Sequence, residues 1–148
     1  MEHVRGLVDS TLREGSQTVG VAFTLEEKLS HAHHLVRVGI EEVEVGIASP
    51  LDKELPSLVD RCRRETGLRR LGLWCRCQED DLACALRLAP DVLSLSVPVS
   101  DLHIAVKLKL KRAAVLKMVA RSVSQARTAV EYVSLGLEDA TRADPDFL

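Results

Sequence analysis

RLGLWCRCQEDDLACALRLAPDVLSLSV, residues 70–97, reads as strand, helix, strand. Arg70–Arg76 is rich in β-formers and aliphatics. Asp80–Leu88 carries an acidic start and an apolar face, and Pro90 closes it off. Asp91–Val97 is again strand-like. Aliphatic runs of this kind suit strands of a parallel sheet covered by helices.

Working outward, the same alternation fills the chain. Val4–Asp9 is a first strand, followed by the polar loop STLREGSQTVG. Thr24 is a good helix N-cap, with Glu27 completing a capping box. Leu25, Leu29, Ala32 and Val36 recur at helical spacing, and Gly39 suits the C-cap. Glu42–Ile47 is the second strand. Leu55, Leu58, Val59 and Cys62 mark the next helix, with Pro56 in its first turn and Gly67 at its end. Beyond residue 97 a long connection leads to a helix marked by Val115, Val119, Val123 and Ala126. Glu131–Leu137 is the fifth strand, and the last residues open another helix.

This β-α repeat predicts an α/β fold with a parallel sheet, in one domain spanning residues 1–148. Two closures fit the pattern: an open doubly wound sheet, or part of a (β/α)8 barrel. Length favours the open sheet, because eight strands and about 200 residues or more make a full barrel.

Composition narrows the function classes. The chain has 148 residues, 46% hydrophobic and 28% charged, with only 3% aromatic, so its core is aliphatic. The net charge is −2, without the basic face that nucleic-acid binding requires. The cations Lys107, Lys109, Lys111 and Arg112 form a local run only. No apolar stretch approaches the roughly 20 residues of a membrane span. Cys62, Cys75, Cys77 and Cys84 form no C-x-x-C pair and read as reduced thiols, consistent with a cytoplasmic location.

In both closures chemistry gathers at the C-terminal ends of the strands. The residues found there are Asp9, Arg13, Glu14 and Gln17 after strand one, and Glu44 on strand two. Arg76, Gln78, Asp80 and Asp81 follow strand three. Ser100, Asp101 and His103 follow strand four, and Glu138, Asp139 and Arg142 follow strand five. Arg13 beside Glu14 can place a cation-binding carboxylate next to an oxyanion-stabilising guanidinium; an exposed ion pair of little energetic weight is the alternative. His31, His33 and His34 fall on the first helix as surface residues, and H-A-H at 31–33 lies away from the rim. P-loop, G-x-G-x-x-G and G-x-S-x-G signatures are absent.

DSTLREGSQ (9–17), EVEVGIASP (42–50), WCRCQEDD (74–81), SVPVSDLHI (96–104) and GLEDATRADPDFL (136–148) together resemble the homocitrate, isopropylmalate and citramalate synthase family, in order and over essentially the whole chain. Hydroxymethylglutaryl-CoA lyase belongs to the same superfamily. The blocks look most like the nitrogenase-associated homocitrate synthases. The resemblance implies the N-terminal five strands of a TIM barrel, left incomplete, and overrules the open sheet.

It also implies a Claisen-type acyltransferase that joins acetyl-CoA to 2-oxoglutarate with a divalent metal (magnesium, manganese or zinc). By resemblance Arg13 is catalytic, Glu14 binds metal, and Gln17, Glu44, Arg76, Gln78 and Arg142 contact substrate. Ser100 and His103 are weaker matches. Glu at position 14, where isopropylmalate synthases and the lyase usually carry Asp, points to the homocitrate side. The family's later H-x-H metal ligands are missing. A missing C-terminal half of the barrel, or self-association, is therefore the expected partner. The alternatives are a non-catalytic fragment, another 2-oxo acid acceptor, or lyase chemistry.

Overall fold

The computed structural model describes residues 6–148. Five parallel strands form one sheet: β1 (Val8–Asp9), β2 (Glu42–Ile47), β3 (Arg70–Arg76), β4 (Val92–Pro98) and β5 (Tyr132–Glu138). Of the strand expected at Val4–Asp9, residues 4 and 5 lie outside the described residues, and the paired part is Val8–Asp9.

Strand order settles the closure. Neighbours follow chain order, β1-β2-β3-β4-β5, every pair parallel. A doubly wound sheet reverses its strand order at a switch point; this sheet has no reversal and curls as a half-barrel. The strand order bears out the five barrel strands that the family resemblance implies and overturns the length-based preference for an open sheet: the number of residues limits how many strands are present and leaves their winding open.

Helices α1 (Leu25–Arg37), α2 (Leu55–Arg61), α3 (Glu79–Arg87) and α5 (Arg112–Ala126) connect the strands. Val43, Leu71, Leu73, Cys75, Leu93, Leu95 and Val97 point outward and pack on Leu29, Leu35, Leu58, Val59, Leu82 and Val115 in one continuous core. Alternate residues of the same strands face the lumen, because side chains switch face at each step. Gly72 lies under Glu44, where an added Cβ would come within 3.4 Å of the Glu44 backbone.

Local chemistry sets the helix ends. Thr24 and Glu27 form the reciprocal capping box at α1. Thr24→Ala should lower stability by about 1 kcal/mol, read from the urea midpoint, and an unchanged midpoint would refute the role of the cap. Gly67 ends the turn after α2 at φ 73°, the left-handed conformation that favours glycine. On α1 the buried residues are Leu29, Ala32 and Leu35, whereas the expected Val36 is half-buried. Positions 35 and 36 are about 100° apart on a helix, so a small rotation of the packed stripe exchanges them.

The connection after β4 holds structure that its sequence did not announce. A short helix, α4 (Asp101–His103), runs into a π-helical turn at Ile104–Leu108, and Lys109 follows in the left-handed region at φ 55°. Arg112 fastens this excursion by pairing with both Asp101 and Asp144 at 2.7 Å and lying over Phe147. Within the core, burial pushes the Cys62 and Cys77 thiols up to about 11 and Cys75 to about 12. All four cysteines are free thiols.

Both edges of the sheet are open among the described residues. Leu7 and Val8 are exposed beside β1, and Leu135 and Leu137 on the outer face of β5 are 37% and 40% exposed.

Candidate active site

The first rim loop begins at Asp9, whose carboxylate accepts from the Thr11 backbone N–H at 2.9 Å and from its hydroxyl at 3.2 Å. This turn, anchored by buried Leu12, directs Arg13 across the lumen. Arg13 Nε donates to Glu44 Oε2 at 2.6 Å, a second N–H pairs with Glu14, and the guanidinium lies 5.8 Å from the centre of the Trp74 ring. Glu44 is buried and Glu14 is exposed. The guanidinium is thus held from β2 and β3 while part of its edge remains available. Gln17 is exposed, and its side chain reaches back only to the Arg13 carbonyl at 3.5 Å.

At the end of β3, Arg76 binds Asp81 through Nε at 2.6 Å and Nη2 at 3.2 Å. Asp81 is 2% exposed and Arg76 is 52% exposed. This pairing raises the Arg76 pKa further. Arg76→Ala should cost about 1–3 kcal/mol, at the low end for a broken buried pair because the arginine is half in water. Adding Asp81→Asn should recover most of the loss; a denaturation series without recovery would contradict it. Gln78 is exposed at the same rim.

The β4 and β5 ends are joined by hydrogen bonds. Ser94 and Ser134 meet at 3.2 Å, and Ser96 donates to Glu138 at 2.8 Å. Lys107 approaches the second Glu138 oxygen at 3.1 Å. Above them, Ser100 donates to Asp139 at 2.5 Å, Arg142 Nε donates to Asp139 at 2.7 Å, and His103 Nδ1 stands 3.6 Å away. The Arg142 guanidinium and the Ser100 hydroxyl hold Asp139 below the ordinary carboxylate range. Ser100 also caps α4 by accepting from the His103 N–H.

Arg13, Glu14 and Glu44 therefore form one contact group with Trp74, while Arg76, Ser96, Lys107 and Glu138 border a common cavity. Ser100, His103 and Arg142 form a separate cluster on Asp139. The rim reading of the sequence did not include Trp74, Ser96 or Lys107. Trp74 and Ser96 were recoverable from strand alternation, being in step with Arg76 and Ser94. Lys107 had no signal, since its placement depends on the irregular turn.

Two expectations about histidines are refined. His33 and His34 are exposed on α1 as anticipated. His31, expected at the surface away from the rim, instead turns toward β1, with Nε2 buried 3.8 Å from Asp9 Oδ1. Its position six residues into α1 places it over the end of the short first strand.

Among the described residues no group of three or more His, Cys, Asp or Glu side chains is arranged to hold a metal ion. Glu14 presents one carboxylate, whereas magnesium takes six ligands; the side chains here do not by themselves compose a complete site. Among the described residues no helix is long and apolar enough to cross a membrane.

Comparison with known proteins adds the lineage. The HMGL-like family profile matches residues 5–148. A 2-isopropylmalate synthase of Prochlorococcus marinus (strain MIT 9312) is 38% identical, over 96% of this chain and 27% of that protein. A 2-isopropylmalate synthase of Listeria monocytogenes serotype 4a is 37% identical, over 95% of this chain and 28% of that protein. The chain thus spans about a quarter of the length of these relatives. A solved HMG-CoA lyase from Acenitobacter baumannii, in complex with coenzyme A and 3-methylmalate, shares the fold with a TM-score of 0.68 at 14% identity, covering 88% of this chain and 44% of that one.

Proposed function

The chain belongs to the HMGL-like family, and on that premise we propose that it forms the N-terminal part of an acyl-CoA condensing enzyme of the homocitrate synthase type. The barrel is completed by further β-α units, in the same polypeptide or a separate one. The observation that carries the reading is Arg13, held by buried Glu44 and Trp74 at the strand C-termini.

In the proposed reaction a general base of the completed barrel takes a methyl proton from acetyl-CoA, the resulting enolate attacks the ketone carbon of 2-oxoglutarate, and the alkoxide is protonated after it forms. A carbon–carbon bond forms and the carbonyl electron pair moves to oxygen. The Arg13 guanidinium stabilises that alkoxide, and Glu44 fixes its orientation before the charge appears, so little reorganisation is needed. Water then cleaves the thioester, giving the carboxylic acid and CoA. A divalent cation would polarise the ketone. The Glu14 carboxylate would be this chain's ligand to that cation.

The acceptor is the finer part of the proposal. Ser94, Ser96, Ser134, Arg76 and Glu138 give the lumen mouth a polar lining, which suits a dicarboxylic 2-oxo acid. The names of the relatives favour a second reading, with the branched aliphatic acceptor of an isopropylmalate synthase. Thiol release from acetyl-CoA by the completed barrel, measured with 2-oxoglutarate or 2-oxoisovalerate as acceptor and magnesium or manganese present, separates the two. Release dependent on 2-oxoglutarate supports the proposal. Release with 2-oxoisovalerate alone replaces it with the second reading, and release with neither overturns both.

A further inference from the structure

Above the ends of β3 and β4 lies a cavity of about 420 Å³ bordered by Arg76, Gln78, Ser96, Lys107 and Glu138. Lys107 belongs to the π-helical turn at residues 104–108, a local irregularity of a kind that often marks functional positions.

The donors around the cavity exceed the acceptors. Arg76 carries five N–H donors, of which Asp81 takes one on Nε and one on Nη2. Lys107 carries three, and Glu138 takes one. Both Glu138 oxygens are already engaged, one by Ser96 and one by Lys107. Charges at the rim balance, with Arg76 and Lys107 facing Asp81 and Glu138, yet spare N–H groups remain on both cations. A carboxylate or a phosphate accepts from two cations at once, and the carboxylate is the one that the proposed 2-oxo acid carries. Arg142, the third arginine of the rim after Arg13 and Arg76, has its Nε on Asp139 and is 61% exposed.

Resting on the reading of the acceptor as a dicarboxylic 2-oxo acid, we propose that Lys107 and Arg76 form the subsite for its far carboxylate, and that Lys107 determines acceptor specificity. The Lys107 ammonium swings from Glu138 toward the ligand while keeping one hydrogen bond to the glutamate. A branched aliphatic acceptor offers this subsite no acceptor atom, so the two half-exposed cations gain no charged hydrogen bond from it.

The test uses Trp74, the one tryptophan of the chain, as a lumen reporter. Its fluorescence is titrated with 2-oxoglutarate and with 2-oxoisovalerate in the unsubstituted protein, Lys107→Met and Lys107→Arg. Loss of a charged hydrogen bond should weaken 2-oxoglutarate binding by about 10-fold or more in Lys107→Met. Lys107→Arg should stay within a few-fold, and the response to 2-oxoisovalerate should not move in either variant. If Lys107→Met binds 2-oxoglutarate normally while the unsubstituted protein still prefers that acid, the Lys107 assignment is wrong and the acceptor reading stands. If the unsubstituted protein prefers 2-oxoisovalerate, or responds to neither acid, the subsite and the acceptor reading fall together.

Discussion

Arg13→Ala is expected to lower 2-oxo-acid-dependent CoA release by about 10²–10³-fold, the range for removing a preorganised oxyanion donor. Alanine removes the group proposed to meet the alkoxide and also the cation facing Glu44, which is buried. Fold must therefore be checked alongside rate, by far-UV circular dichroism and the denaturation midpoint. Arg13→Lys separates the two effects. It keeps the positive charge near Glu44 but loses the planar fork that binds Glu44 and lies over Trp74 together. Its stability should stay near that of the parent while its rate falls. An Arg13→Ala protein that folds normally and turns over within threefold of the parent would remove the catalytic assignment.

The largest stability effect is expected at Leu73→Ala. Leu73 sits on the central strand with no exposed surface, inside the continuous core. Truncating such a leucine costs about 2–5 kcal/mol, since the lost burial adds to the cavity left behind. Leu135→Ala on β5 is the control. Leu135 is 37% exposed, so the same change should cost under about 1 kcal/mol in this chain. Equal losses at both positions, by urea denaturation, would mean that the outer face of β5 is covered in solution. That result would point to a partner or self-association over that face.

How legible the site was depended on where each residue sits in the chain. Arg13 and Glu14 are adjacent in sequence, so one loop delivers both. Glu44 was placed at the same rim by its strand, but its direct bond to Arg13 joins residues 31 apart. Arg76 and Gln78 were correctly put at the end of β3, yet nothing in their spacing showed that buried Asp81 would take the Arg76 fork. Arg142 was expected to meet a substrate carboxylate; the structure gives its Nε to Asp139, because the left-handed residue Asp139 turns its own carboxylate back onto the arginine three positions later.

By itself, the sequence determined the elements and their class. Hydrophobic alternation, the Thr24–Glu27 cap, Pro56 near a helix start and Gly67 at a helix end are local signals, acting within one turn or one strand, and each appears where the pattern puts it. Hydrophobic pattern left the winding open; the family resemblance implied it, and only the pairing of the strands shows it. Whether the second, third and fourth strands follow in order or double back depends on pairing across the sheet, a contact between segments about 20 to 40 residues apart that leaves no periodic trace. The same holds for the seat of Lys107 beside Glu138 and of His31 beside Asp9. Short-range preferences are written into neighbouring residues, whereas long-range juxtapositions emerge only when the packed sheet fixes which loops share a rim.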